Sequence, residues 1–192
     1  MARERKFSTG DLFQVVERLL LEHGYDGLNF GLLAEELHIS RGALYKYYEN
    51  KEDLVLEYMI HKMHKFFDDI KQIKEYKSFQ EQFDFLFDVM FQYATIVQLL
   101  ARAHENPQTK KDQIAKNKKI MDEYHLEIYG HLEDFIELGK QEGVLKKDIP
   151  DKVMLAMIFQ TVIMPNHFGV PEEEWVRFIK EILSNGMFVH PN

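Results

Sequence analysis

The sequence predicts an all-α fold, and three observations carry that prediction. Apolar residues recur at three- and four-residue intervals, good N-capping residues stand ahead of most such runs, and no segment shows the two-residue alternation of a strand. About nine helices are expected. Ser8 opens the first, with Asp11 three residues on as the second half of a capping box. Its inner stripe is Leu12, Val15, Val16, Leu19 and Leu20, and Gly24 supplies the stop. Asn29 caps a second helix carrying Leu32, Leu33 and Leu37, and Ser40 caps a short third one reaching about Tyr47. Asn50 opens a long fourth helix.

Beyond Lys77, Ser78 restarts the chain, and Phe79, Phe83, Phe87 and Phe91 follow at four-residue steps on a helix running to His104, ahead of Asn106-Pro107. Another long helix is expected from Lys110 to Gln141, ended by Gly143. Pro150-Asp151 opens a strongly apolar helix to Met164, the stretch Pro165–Gly169 breaks it, and Pro171 with three glutamates starts a last helix to Leu183.

Composition narrows the function classes. With 45% hydrophobic and 29% charged residues in 192, the chain has material for a core and a solvated surface. It has no cysteine, which removes disulfides, thiolate nucleophiles and sulfur-ligated zinc. The opening residues do not resemble a secretion signal, and the longest apolar run, Val153–Met164, is too short to span a bilayer, so a cytoplasmic protein without membrane partners is expected. No nucleophile–base set, spaced carboxylate pair or glycine-rich phosphate loop occurs, so neither an enzyme nor a bound cofactor is expected. His61 and His64 lie one turn apart with Glu57 on the same face but lack a convincing third partner, so they read as a solvated face and no metal site is expected. The net charge of −8 argues against nucleic acid until its distribution is read. Residues 1–51 hold seven Lys or Arg against eight Asp or Glu, while residues 52–192 hold seventeen against twenty-four. The acid belongs to the C-terminal part, and Arg3, Arg5 and Lys6 form a basic tip that suits either a minor groove or a frayed end.

The segment from Gly24 to Leu54 carries the most information. Two short helices joined by a three- or four-residue turn form a helix-turn-helix, whose second helix can enter a major groove. Ala34 is the small side chain such a crossing needs; Leu37, Ile39 and Leu44 fill the wedge as packing residues. His38 occupies the turn position that usually demands positive φ, a conformation in which His is enriched among non-glycine residues. The third helix offers Arg41, Tyr45, Lys46 and Tyr47, cations and hydrogen-bond donors suited to phosphates and base edges. Gly42 and Ala43 add no bulk, and Lys51 stands at the start of the fourth helix, where backbone N–H groups attract phosphate.

This segment resembles the DNA-binding region of the TetR family of bacterial regulators. The resemblance rests on Gly24-Tyr25, Leu33-Ala34, Ile39-Ser40, Gly42-Ala43-Leu44-Tyr45, Tyr47-Tyr48 and Asn50-Lys51-Glu52-Asp53-Leu54, and covers about residues 8–54. It implies a homodimeric transcriptional regulator that reads a palindromic operator in double-stranded DNA, most often a repressor released by a small molecule. Carried onto this chain, it makes Asn29, Ser40, Arg41, Gly42, Ala43, Tyr45, Tyr47 and Lys51 candidate DNA contacts, to which the residue reading adds Lys46. Asn29 replaces a usual Thr, Ala43 a common Thr, Tyr48 a usual Phe and His38 a usual Gly, which leaves operator preference open.

The expected domains are residues 1–52 for DNA and residues 53–192 for effector binding and dimerisation. An apolar or amphipathic effector would meet the Phe83, Phe87 and Phe91 stripe, with His104, Gln160 and His167 as polar partners; packed core is the competing reading of that stripe. The helices Asp151–Met164 and Glu172–Leu183 are the expected dimer face, with Ala156 and Ile158 on it. The alternative is a helical dimeric protein-interaction module on the same scaffold that has lost DNA binding.

Overall fold

The structure, a computed structural model, describes residues 7–104, 123 and 126–188, with the backbone alone for 99–104. Among them are eight α-helices, α1 (Thr9–Gly27), α2 (Phe30–Glu36), α3 (Arg41–Leu44), α4 (Lys51–Ile70), α5 (Phe79–His104), α6 (Glu133–Gln141), α7 (Asp151–Ile163) and α8 (Glu172–Met187). A 3₁₀ turn, Lys71–Glu75, continues α4, and a single antiparallel bridge joins Leu145 to Phe188. The all-helical class is as expected. Residues 126–131 are helical too, but most of the expected Lys110–Gln141 helix lies outside the described residues, as does the basic tip of Arg3, Arg5 and Lys6.

The chain divides into two compact units, Met1–His64 with Thr95–Asn117 and Lys65–Ala94 with Lys118–Asn192. In the first, local chemistry sets the elements. Ser8 and Asp11 form a full capping box: the Ser8 hydroxyl accepts from the Asp11 N–H at 3.0 Å, and the Asp11 carboxylate accepts from the Ser8 N–H at 3.1 Å. Gly24 breaks α1 at φ 68° and ψ −179°, a region open essentially to glycine alone, and one further helical turn follows to Gly27. Leu12, Val16, Leu19, Leu20, Leu28, Leu33, Leu44 and Leu54 are buried; Phe13 takes the place expected for Val15, which is half-buried. The Phe13 ring meets Tyr58 edge-on at 5.7 Å. An Arg18–Glu36 pair at 2.6 Å links α1 to α2, and Lys62–Glu17 at 2.9 Å links α4 to α1.

In the second unit the phenylalanine stripe is core. Phe79, Phe83 and Phe87 are fully buried and Phe91 nearly so, with ring centroids 5.8, 4.7 and 6.0 Å apart along the helix. Phe135 stacks on Phe79 at 4.9 Å, and Phe188 meets Phe79 and Phe83 edge-on at 5.6 and 5.4 Å. Ser78 and Glu81 repeat the capping box at the start of α5, the Ser78 N–H donating to Glu81 at 3.0 Å. Helix α8 runs one turn past the expected Leu183, to Met187, whose carbonyl accepts from the Lys146 N–H at 2.9 Å. Ile158 is fully buried, so it belongs to this unit's own core and not to the face expected to be shared; Ala156, two residues away, is exposed. An almost uniformly apolar helix gives its sequence no phase from which to choose the outer side.

Candidate nucleic-acid interface

Helices α1, α2 and α3 pack in series, and the turn between α2 and α3 aims the site. Its N–H groups close a Schellman motif: Ile39 donates to the Ala34 carbonyl at 2.9 Å and His38 to the Glu35 carbonyl at 3.1 Å. His38 has φ 52°, the left-handed conformation expected of it and usually left to glycine. Ala34 and Leu44 are buried, Leu37 and Ile39 half-buried, in keeping with a packing role.

Helix α3 proper is four residues long, followed by tight turns in which the Leu44 carbonyl accepts from both Tyr47 and Tyr48 N–H groups at 2.9 and 3.1 Å. Ser40 precedes it in extended conformation; its hydroxyl makes no capping bond and the residue is exposed. Arg41, Gly42 and Lys46 are exposed, and no ion pair with a described residue holds either cation. A β-carbon on Gly42 would meet nothing within 4 Å, so packing does not require glycine there. Ala43 is half-buried. Tyr45 and Tyr47 are 60% and 42% exposed, which leaves large aromatic surfaces in water on a helix that buries only Leu44. Each ring rests on a phenylalanine, Tyr45 on Phe30 at 4.8 Å and Tyr47 on Phe7 at 5.8 Å. Tyr48 is buried, as core.

The flanking candidates are more heavily engaged. Asn29 caps α2, its Oδ1 accepting from Gly31 and Leu32 N–H groups at 2.9 and 3.1 Å while its Nδ2 donates to the Gly27 carbonyl at 3.1 Å. Lys51 donates from Nζ to the Tyr25 carbonyl at 2.9 Å, with the ammonium 4.1 Å from the centre of the Tyr25 ring. The Tyr25 phenol donates in turn to Glu52 at 3.4 Å, and burial first, then the Glu52 carboxylate, pushes that phenol up to about 12. Lys51 therefore ties the start of α4 to the last turn of α1, and has two N–H groups left for a ligand. Asn50 caps α4, accepting from the Asp53 N–H at 2.8 Å.

Three residues at this surface escaped sequence reasoning. Phe7 and Phe30 support the two tyrosines, and Gly31 lies beneath Arg41: a β-carbon there would fall 2.6 Å from Arg41 Nη2 and 2.8 Å from Asn29 Oδ1. The aromatic residues just before the Ser8 and Gly31 positions were a usable signal for the first two; the third is a contact across the turn, which no local pattern encodes.

The six candidates for an effector site do not share one environment. Phe83, Phe87 and Phe91 pack together in the core, Gln160 and His167 are exposed, and the His104 side chain lies outside the described residues.

A three-helix head that presents a short, cationic and aromatic second helix after a Schellman turn defines a helix-turn-helix protein. The profile of "Bacterial regulatory proteins, tetR family" matches residues 13–58, the segment that holds this helix-turn-helix. No curated protein matches it in sequence. Solved structures match it over nearly its whole length. A TetR transcription regulator from Haloarcula marismortui is 22% identical, with a TM-score of 0.69 over 94% of this chain and 98% of its own. The regulator FadR from Bacillus subtilis, in complex with stearoyl-CoA, is 19% identical, with a TM-score of 0.67 over 95% and 100%. A regulator from Saccharomonospora viridis in complex with choline is 15% identical, with a TM-score of 0.72 over 94% and 97%. At these identities the likenesses show a shared all-helical fold and nothing further. Among the described residues, no helix is long and apolar enough to cross a membrane.

Proposed function

We propose that the chain is a sequence-specific, DNA-binding transcriptional regulator that acts as a homodimer, with α3 in the major groove. The observation that carries this reading is the outer side of α3 and the turn after it: Arg41, Tyr45, Lys46 and Tyr47 stand exposed on a segment too short to be there for its own packing. Arg41 suits a guanine edge or a phosphate, and Lys46 and the tyrosine hydroxyls suit phosphates. Residues 1–52 form the reading head, and residues 53–192 dimerise and sense. Effector binding shifts α4 and thereby the spacing of two heads, which must match major grooves about 34–36 Å apart.

The dimer face in this reading is the outer side of α7 and α8. Val153, Ala156 and Met157 are exposed on α7, and Phe178 and Ile182 on α8, the last at 71%. Apolar surface repeated along two neighbouring helices is what a self-complementary, two-fold interface requires. The effector is a small amphipathic molecule admitted by rearrangement of the Phe83–Phe91 core, and the protein is a repressor that it releases. The stearoyl-CoA and choline of the two similar structures support a ligand of that amphipathic kind without selecting one.

Selection of bound sites from random duplex DNA tests the reading. A palindrome is expected, bound with an affinity that falls steeply with salt, and substituting Arg41, Tyr45 and Tyr47 together by alanine removes that binding while leaving the dimer intact. A dimer that ignores every duplex at low salt would make the scaffold an interaction module.

A further inference from the structure

Gly31 gives its N–H to the Asn29 cap, and its bare α-carbon lies against the end of Arg41. The point a β-carbon would occupy is 2.6 Å from Arg41 Nη2 and 3.1 Å from Arg41 Cζ. The first is inside the closest approach that real side chains make and the second is tighter than most, so a side chain at this position must push the guanidinium from where it is. Arg41 is exposed and held by no ion pair with a described residue, so nothing else here pins its long, flexible stem. Asn29 Oδ1, which lies on the same side of Gly31, is already shared between two backbone N–H groups of α2.

We infer that Gly31 is a positioning residue for Arg41: its missing side chain makes the floor on which the guanidinium lies, and so sets where Arg41 meets DNA. The inference rests on the DNA-binding reading above. A planar guanidinium recognises a guanine edge or a phosphate through parallel N–H bonds of fixed direction. Displacing it by the width of a methyl group misaligns both bonds, although the charge stays close. Gly31→Ala should therefore act like a partial loss of Arg41.

The fold itself should tolerate that change. The atoms that must yield are ends of side chains and not backbone, and Gly31 is a helical position, where alanine is intrinsically favoured over glycine. No positive φ is required at Gly31, in contrast to Gly24, Gly143 and Gly169.

The test is a double-mutant cycle on the full-length dimer, with the duplex recovered by selection as probe and thermal melts recorded alongside. Gly31→Ala is expected to weaken operator binding about tenfold, the loss of one aligned Arg contact. Arg41→Ala is expected to weaken it at least as much, and Gly31→Ala/Arg41→Ala to lie close to Arg41→Ala alone, because only the crowding of Asn29 Oδ1 then remains. A wild-type dimer that binds no duplex overturns the DNA-binding reading itself. With wild-type binding secured, an unaffected Gly31→Ala overturns the inference, and so does a Gly31→Ala penalty that persists undiminished once Arg41 is gone. If Gly31→Ala fails to fold but the double variant folds, the collision with Arg41 is still supported; if neither folds, Gly31 serves the backbone and the inference is wrong.

Discussion

The two units put opposite kinds of surface into water. In the unit built on α1–α3, the large exposed apolar side chains among the described residues are Leu21, Tyr45 and Tyr47, and the tyrosines carry hydroxyls close in sequence to Arg41 and Lys46. In the unit built on α6–α8, Val153, Met157, Ile163, Met164, Phe168, Phe178 and Ile182 are exposed with no polar group at their ends. The core of each is well made, so neither pattern reflects a shortage of material to bury. The first surface is suited to a hydrated polyanion, where donors and stacking planes matter. The second is suited to another apolar surface, where area and shape matter.

The most damaging way to break that contrast is to make the second surface resemble the first. Met157→Glu with Ile182→Glu places acids at two exposed positions on α7 and α8. Across a two-fold axis each substitution counts twice, and juxtaposed like charges cost several kcal/mol, so self-association should weaken by at least about a hundredfold. Sedimentation should show folded monomers with an unchanged helical spectrum, and palindrome binding should fall with dimerisation. A variant that stays dimeric would move the interface elsewhere. Ile158→Glu would be the wrong experiment, since that side chain is fully buried and its loss would unfold the unit.

What the sequence disclosed and what it hid divide along the range of the interaction. The Ser8–Asp11 box, the Ser78, Asn29 and Asn50 caps, the Gly24 break and the positive φ of His38 all depend on residues close to one another in the chain, and each is where the local pattern puts it. The candidate site was legible in its reading helix for the same reason. Contacts between distant residues were not. Lys51 spends one N–H on Tyr25, and Arg41 lies over Gly31, through packing that no spacing rule records. The environment of the effector candidates was hidden in the same manner: Gln160 and His167 interrupt apolar runs and face solvent at the end of α7 and beyond it.

A gentler change sharpens the contrast from the head's side. His38 holds φ 52° in the Schellman turn, a conformation costing a non-glycine residue roughly 1–2 kcal/mol. His38→Gly relieves that strain and loses part of the gain to greater freedom in the unfolded chain, leaving a net stabilisation of about 0.5–1 kcal/mol. A domain of this size should then melt about 2 °C higher. No gain, or a loss, would mean that the imidazole repays the strain through contacts of its own.

The smallest effect concerns the link from α1 to α4, and it is read at alkaline pH. Burial, reinforced by Glu52, raises the Tyr25 phenol from 10.0 to about 12. A raised pKa means that the fold favours the neutral phenol. The stability this group contributes is therefore complete below pH 10 and is lost as pH climbs through 12, because the unfolded chain ionises first. The phenol is only partly buried, so solvent screening trims the effect. Tyr25→Phe removes this titration and keeps the ring over which Lys51 sits, so its melting temperature should decline less steeply than the wild type's between pH 10 and 12. All other side chains are common to both proteins and cancel in the difference. Parallel declines would show that the Tyr25 hydroxyl ionises as it does in water, and that the Lys51 contacts alone hold the start of α4 to the end of α1.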